Sequence, residues 1–233
     1  ENELKINGNK IINYYGRGRQ NTILLSPPAI SSLEVNSVQN AMQSNWIAPV
    51  GPDINRFEMY LSQKMNNYGT VALNSGTSAL HLALKLLNIK QNDFIICQSF
   101  TFAGSVFPII YEKAIPIFVD SDPISWNIDP ILLEKTIIDL KKKNIKPKAI
   151  IVVDLYGMPA NYWLLNKISK KYKIPLIEDA AEALGSKFNN KSCGTFGKFG
   201  VLSFNGNKII TTGGGGAILT SNRKFHKLVN HIS

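Results

Sequence analysis

The sequence predicts a three-layer α/β/α fold, with helices covering both faces of a mostly parallel central sheet. Two observations predict it. Short apolar, β-branched runs recur at Thr70–Leu73, Phe94–Gln98, Ile115–Val119, Ala149–Val153, Pro175–Glu178, Val201–Phe204 and Ala217–Leu219. Between most of them lie helical patterns, and strands that alternate with helices imply parallel pairing with both sheet faces covered.

The elements follow in chain order. Residues 1–22 read as an irregular arm, polar and without a sustained period, and residues 23–233 read as one domain. In Thr77–Leu87 the apolar residues Leu80, Ala83, Leu84 and Leu87 sit at i, i+3, i+4 and i+7, the spacing of a one-faced helix. Asp129–Lys143 opens with Asp129 as N-cap and Pro130 at the first helical position. Tyr162–Tyr172 stops ahead of Pro175, which cannot continue a helix. In such folds ligands bind beyond the carboxyl ends of the strands, so the polar residues after each apolar run are the candidates for chemistry.

Composition narrows the function classes. A hydrophobic content of 44% with 18% charged residues excludes a disordered or fibrous chain. No apolar run reaches the roughly 18 residues of a membrane-spanning helix, and the polar start offers no secretory signal. A cytoplasmic location is the expectation. Cys97 and Cys193 stand far apart, and His81, His226 and His231 show no ligand spacing, so neither a disulfide nor a metal is expected. The net charge of +10 admits an anionic partner. The lysines are scattered, however, and the densest run, Lys141-Lys142-Lys143, falls where a helix should end, where cations complement the helix dipole. A phosphorylated cofactor or nucleotide-sugar is therefore favoured over nucleic acid.

Four strand ends carry the chemistry. After Val71–Leu73 comes Asn74-Ser75-Gly76-Thr77-Ser78, a small turn opening a helix, which makes either an anion site or an ordinary cap. After Phe94–Gln98 comes Ser99-Phe-Thr-Phe102, whose aromatic residues could stack on a planar ring or join the core. Glu178-Asp179 closes an apolar strand, and a carboxylate there needs a charged partner such as a pyridinium nitrogen, unless it only caps a helix. Lys208 lies in an apolar setting ahead of four glycines, Gly213–Gly216. Partial desolvation frees such an amine to attack an aldehyde, whereas a surface turn would leave it solvated. An anion cradle, an aromatic platform, a buried acid and a Gly-flanked lysine together are the parts of a pyridoxal-phosphate site.

These residues resemble the pyridoxal-phosphate (PLP)-dependent nucleotide-sugar aminotransferases. The likeness runs through Leu25-Ser-Pro-Pro28, Asn45-Trp-Ile-Ala-Pro49, Asn74-Ser-Gly-Thr-Ser-Ala-Leu-His81, Ser99-Phe-Thr-Phe102, Asp154-Leu-Tyr-Gly157, Glu178-Asp-Ala-Ala-Glu-Ala-Leu-Gly185, Gly194-Thr-Phe-Gly197 and Ser203-Phe-Asn-Gly-Asn-Lys208. It implies the large domain of the type I, aspartate aminotransferase-like PLP fold. Lys208 would be catalytic and hold the cofactor as a Schiff base; Asp179 would pair with the pyridine nitrogen; Glu182 would lie near the ring hydroxyl. Phe102 would stack on the ring, while Gly76, Thr77 and Ser203 would hold the phosphate. Where many relatives carry His this chain has Asp154, for which the resemblance implies no role. The implied reaction moves an amino group from L-glutamate to C4 of a nucleotide-linked 4-keto-6-deoxy sugar, UDP-linked as in bacillosamine-type pathways, in a homodimer. The resemblance also implies a small domain of roughly 150 further residues, an ordinary domain size, so the chain is expected to be one part of a larger enzyme. A remnant that binds PLP or nucleotide-sugar without turnover is one alternative. A same-fold sugar dehydratase is the other, and it would carry His where this chain has Lys208.

Overall fold

The computed structural model describes residues 28–232, together with 5–6 and 9–10. By its internal contacts the chain divides into two units, Glu1–Arg56 and Phe57–Ser233. In the first, strands β1 (Lys5–Ile6) and β2 (Asn9–Lys10) pair antiparallel; the rest of the irregular arm expected over 1–22 lies outside the described residues. Helix α1 (Ser32–Gln43) is closed by a capping box: Ser31 Oγ accepts the Leu33 N–H, and Glu34 accepts the Ser31 N–H at 2.6 Å. Helix α2 (Pro52–Lys64) begins in this unit on Pro52, a residue preorganised for a first helical turn, and ends in the second unit.

The second unit is built on seven strands: β3 (Gly69–Leu73), β4 (Phe94–Gln98), β5 (Ile115–Val119), β6 (Ala149–Val153), β7 (Leu176–Asp179), β10 (Phe199–Ser203) and β11 (Gly216–Thr220). Strands β8 (Lys187–Phe188) and β9 (Lys191–Ser192) form a separate small hairpin. The sheet order is β3-β11-β10-β7-β6-β4-β5; only β11 runs antiparallel to its neighbours. Every apolar run read as a strand is a strand of this sheet.

Alternation along the strands divides the core. Ile95 and Cys97 of β4 pack with Leu80, Ala83 and Leu84 of α3 (Gly76–Leu86), with Ile109 of α4 (Phe107–Tyr111), and with Val229 of α7 (Arg223–Ile232). Ile96 faces the other way, toward Leu133 and Ile137 of α5 (Pro130–Lys142) and Leu165 and Ile168 of α6 (Tyr162–Tyr172). Successive side chains point to opposite faces of a strand, so both faces of this sheet are apolar and both are covered. Asp129 caps α5 through the Ile131 and Leu132 N–H groups, and Lys141 and Lys142 fall in the last turn, as the sequence predicts. Among the described residues no helix is long and apolar enough to cross a membrane.

Asparagine has a structural use. Among the described residues, eight of the twelve non-glycine residues at positive φ are Asn, including Asn189 and Asn190 in the turn between β8 and β9. Asn tolerates the left-handed region better than other side chains.

Gly216, where β11 starts, lies against the loop that opens α3. A Cβ there would stand 2.2 Å from the Ser75 carbonyl carbon and 2.5 Å from the Gly76 nitrogen. Gly216→Ala is expected to cost about 1–3 kcal/mol by urea denaturation, the usual price of overpacking. Gly214→Ala, whose Cβ would meet nothing closer than Asn74 O at 3.8 Å, should stay within about 0.5 kcal/mol of the unaltered chain.

Candidate active site

The carboxyl ends of the strands, the start of α3 and the loop between β10 and β11 open onto one cavity of about 700 Å³. All seven residues singled out from the sequence line it: Gly76, Thr77, Phe102, Asp179, Glu182, Ser203 and Lys208.

At the start of α3, Ser75 Oγ accepts the Ser78 N–H at 3.1 Å, so the turn is a helix cap. It is also open to a ligand, because the leading N–H groups of a helix have no intrahelical acceptor. Gly76 is pressed against β10, where an added Cβ would come 3.1 Å from Ser203 Cβ. Phe102 is not core: it is 77% exposed and lies beside Gly104, where a Cβ would meet its ring at 3.0 Å and Thr77 Oγ1 at 3.1 Å.

Asp179 ends β7 and is buried. Its Oδ2 accepts the Ser105 hydroxyl at 2.7 Å, and its Oδ1 accepts the Ala181 N–H at 3.2 Å. Burial pushes this carboxyl upward; the Ser105 hydrogen bond, the Ala181 N–H and the charge of Lys208 pull it back. The Lys208 side chain is only 12% exposed, which rules out a solvated surface lysine, and its Nζ lies 3.0 Å from Glu182 Oε1. The other Glu182 oxygen accepts the Tyr156 N–H at 2.9 Å. The lysine and both acids thus meet in one cavity, Lys208 and Glu182 as an ion pair.

Sequence reasoning gave no role to Thr101, Ser105 and Tyr156, which also line the cavity, as does Phe100. Tyr156 holds φ +52°, rare for a bulky residue, and is exposed. Its loop is fastened by the buried Asn127, whose Nδ2 donates to Met158 O at 2.8 Å and whose Oδ1 accepts the Leu155 N–H at 2.9 Å.

Asp154 also has a place. It is buried beside Glu178 and Cys193, with donor atoms of the three within 4.8 Å of one another. Three backbone N–H groups satisfy the Glu178 carboxylate: Gly194 at 2.5 Å, Phe196 at 2.6 Å and Gly197 at 3.3 Å. Asp154 Oδ1 accepts the Ala160 N–H at 2.9 Å and the Tyr162 hydroxyl at 2.8 Å, while Oδ2 has no donor. The two buried carboxyls therefore share a proton on the side of Asp154 Oδ2, and burial raises both, Glu178 the further. Burial pushes Asp154 up to about 6. A raised carboxyl stabilises the fold most at low pH, and that contribution is lost as pH rises from the ordinary Asp range through about 6. Asn at this position mimics the protonated acid. Asp154→Asn is expected to gain stability above pH 6, on the order of 2–3 kcal/mol at most, with the gain vanishing below pH 4; denaturation at the two pH values checks it.

The chain is similar to known proteins. Residues 28–233 match the model of the DegT/DnrJ/EryC1/StrS aminotransferase family. EpsN of Bacillus subtilis (strain 168), named as a pyridoxal phosphate-dependent aminotransferase, is 48% identical over 85% of this chain and 51% of its own length. GDP-perosamine synthase of Escherichia coli O157:H7 is 37% identical over 88% of this chain and 55% of its own. Among solved structures, an aminotransferase of this family from Brucella abortus superposes with a TM-score of 0.78 at 33% identity, over 85% of this chain and 55% of that one. The E. coli GDP-4-keto-6-deoxy-D-mannose-3-dehydratase with hydrated PLP superposes with a TM-score of 0.81 at 28% identity, over 90% of this chain and 54% of that one. The chain thus spans about half the length of the relatives it matches.

Proposed function

The chain belongs to the DegT/DnrJ/EryC1/StrS aminotransferase family, and from that premise we propose that it is the PLP-binding part, residues 23–233, of a sugar aminotransferase. The enzyme takes its amino group from L-glutamate and delivers it to C4 of a UDP-linked 4-keto-6-deoxy sugar, working as a homodimer. The observation that carries this reading is the meeting of Lys208, Glu182 and Asp179 in one cavity. The residues fit the cofactor: a shielded amine for its aldehyde, a buried acid for its ring nitrogen, and a helix start for its phosphate.

When bound, PLP supplies an electron sink for the carbon that loses or gains the amino group. The protein does the rest. Lys208 Nζ would hold the cofactor and move a proton at its own amine. Asp179 would balance a cationic ring N–H, and Glu182, 3.0 Å from Lys208 Nζ, would receive or return the proton that the lysine exchanges. Gly76, Thr77 and Ser203 would hold the phosphate at the start of α3, and the exposed Phe102 would offer its ring for stacking.

The likeness to a sugar 3-dehydratase supports a second reading, in which the sugar loses oxygen and gains no nitrogen. One assay separates them. Protein expressed from its own gene is given 15N-glutamate with UDP- and GDP-linked 4-keto-6-deoxy sugars, and the products are weighed by mass spectrometry. Label in the UDP-sugar supports the proposal; label in the GDP-sugar alone moves the nucleotide assignment. A deoxygenated, unlabelled product would establish the dehydratase.

A further inference from the structure

We infer that Ser105, with Thr101 behind it, is a positioning residue that keeps Asp179 ionised and aimed into the cavity; the inference rests on the cofactor reading of this site.

The hydroxyl protons decide the direction of the chain. Ser105 Oγ lies 2.7 Å from Asp179 Oδ2 and 2.8 Å from Thr101 Oγ1, and Ser105 is only 2% exposed, so water does not compete. Ser105 has one proton to give. If it goes to Asp179, Thr101 donates to Ser105, and the carboxylate sits at the end of two donors pointing the same way. The reverse polarity needs a protonated Asp179 donating outward, with Thr101 ending the chain on Phe102 O at 3.4 Å, a poor contact. The short Ser105–Asp179 and Thr101–Ser105 contacts, against the long one to Phe102 O, select the inward direction, and aligned hydroxyls strengthen one another.

The titratable groups facing Asp179 are Lys208 and Glu182, one favouring its charge and one opposing it. Glu178, the preceding residue in β7, points to the other face of the sheet. Glu182 is itself paired with Lys208 at 3.0 Å, which leaves Ser105 as the neutral group nearest the acid that can hold it ionised without adding charge to the cavity. The segment that presents Ser105, the 3-10 helix Ala103–Ser105, follows directly on Phe102. One loop therefore supplies both the ring-covering aromatic and the donor that fixes the acid below it.

The test begins without cofactor. The 13Cγ shift of Asp179 is titrated in the whole chain, in Ser105→Ala and in Thr101→Val. Ser105→Ala is expected to move the Asp179 midpoint up by about one unit, a tenfold change in proton affinity; Thr101→Val should move it in the same direction by less, and Ser105→Thr should restore it. An unchanged midpoint in Ser105→Ala overturns the inference, and if that variant does not fold, the Thr101→Val midpoint decides in its place. A second arm measures the affinity for PLP against pH. The variant should bind more weakly at pH 7, by up to about tenfold, and recover as pH rises, whereas an equal loss at every pH would mean a packing role and would also overturn it. If the unaltered chain takes up no PLP, the proposed function fails, while the carboxyl titration still judges Ser105.

Discussion

Lys208→Ala abolishes the visible absorbance that the chain gains on mixing with PLP, and borohydride then leaves no pyridoxyl group at position 208. This is the larger of the two strongest effects expected, because no other amine is assigned to the cavity to take over. Among the described residues Lys208 is the only lysine that lines it, with its side chain 12% exposed and its Nζ 3.0 Å from Glu182. Amino transfer should fall by at least the 10²- to 10⁴-fold that a positioned proton-transfer group provides, and further because the covalent attachment is lost as well. Lys141→Ala, in the exposed last turn of α5, should leave the spectrum unchanged. Absorption spectra before and after borohydride, followed by peptide mapping, measure both. A pyridoxyl group on another lysine in the unaltered chain would move the site elsewhere.

Asp179→Asn is expected to act in opposite directions on binding and on stability. Loss of one member of a buried charge pair costs about 2–5 kcal/mol, so PLP should bind at least about 30-fold more weakly. The chain without cofactor should become more stable at neutral pH. Burial raises the Asp179 carboxyl, so keeping it charged opposes folding above the ordinary carboxyl range. Asn removes that cost and can still accept the Ala181 N–H while Ser105 turns to accept from its Nδ2. The gain should shrink as the pH falls below the ordinary Asp range, where wild-type Asp179 is neutral in both folded and unfolded chains. Cofactor titration and thermal unfolding at pH 4 and pH 7 test the pair of signs. A variant less stable at both pH values would show that the acid is held for structural reasons, not for a ligand.

What was legible in the sequence, and what was not, follows from the range of each interaction. The strands of the sheet were visible because each is a short apolar run, and α5 because Asp129 and Pro130 mark its start within two residues. Helix α4 has five residues, too few for a period, and in α1 the spaced Val35, Val38 and Met42 are interleaved with Ser, Asn and Gln and none is buried. Asp179 and Lys208 were legible because they follow apolar strands, where a charge needs a reason. Ser105 was not, since the acid it serves is 74 residues away and serine caps and turns are everywhere. The sharing of a proton between Asp154 and Glu178 depends on which backbone N–H groups reach each oxygen, a matter of loop path that residue types do not encode. The scattered Asn residues are partly a supply of left-handed turn residues, a use that shows only once the turns are formed.

A crystal structure of the chain grown with PLP tests the central claim most directly. The account predicts electron density joining Lys208 Nζ to the cofactor, its ring nitrogen about 2.8 Å from the Asp179 carboxylate, as charge-assisted hydrogen bonds require, and its phosphate at Gly76 and Thr77. A ring bound outside this cavity, or one whose nitrogen faces no carboxylate, would contradict it.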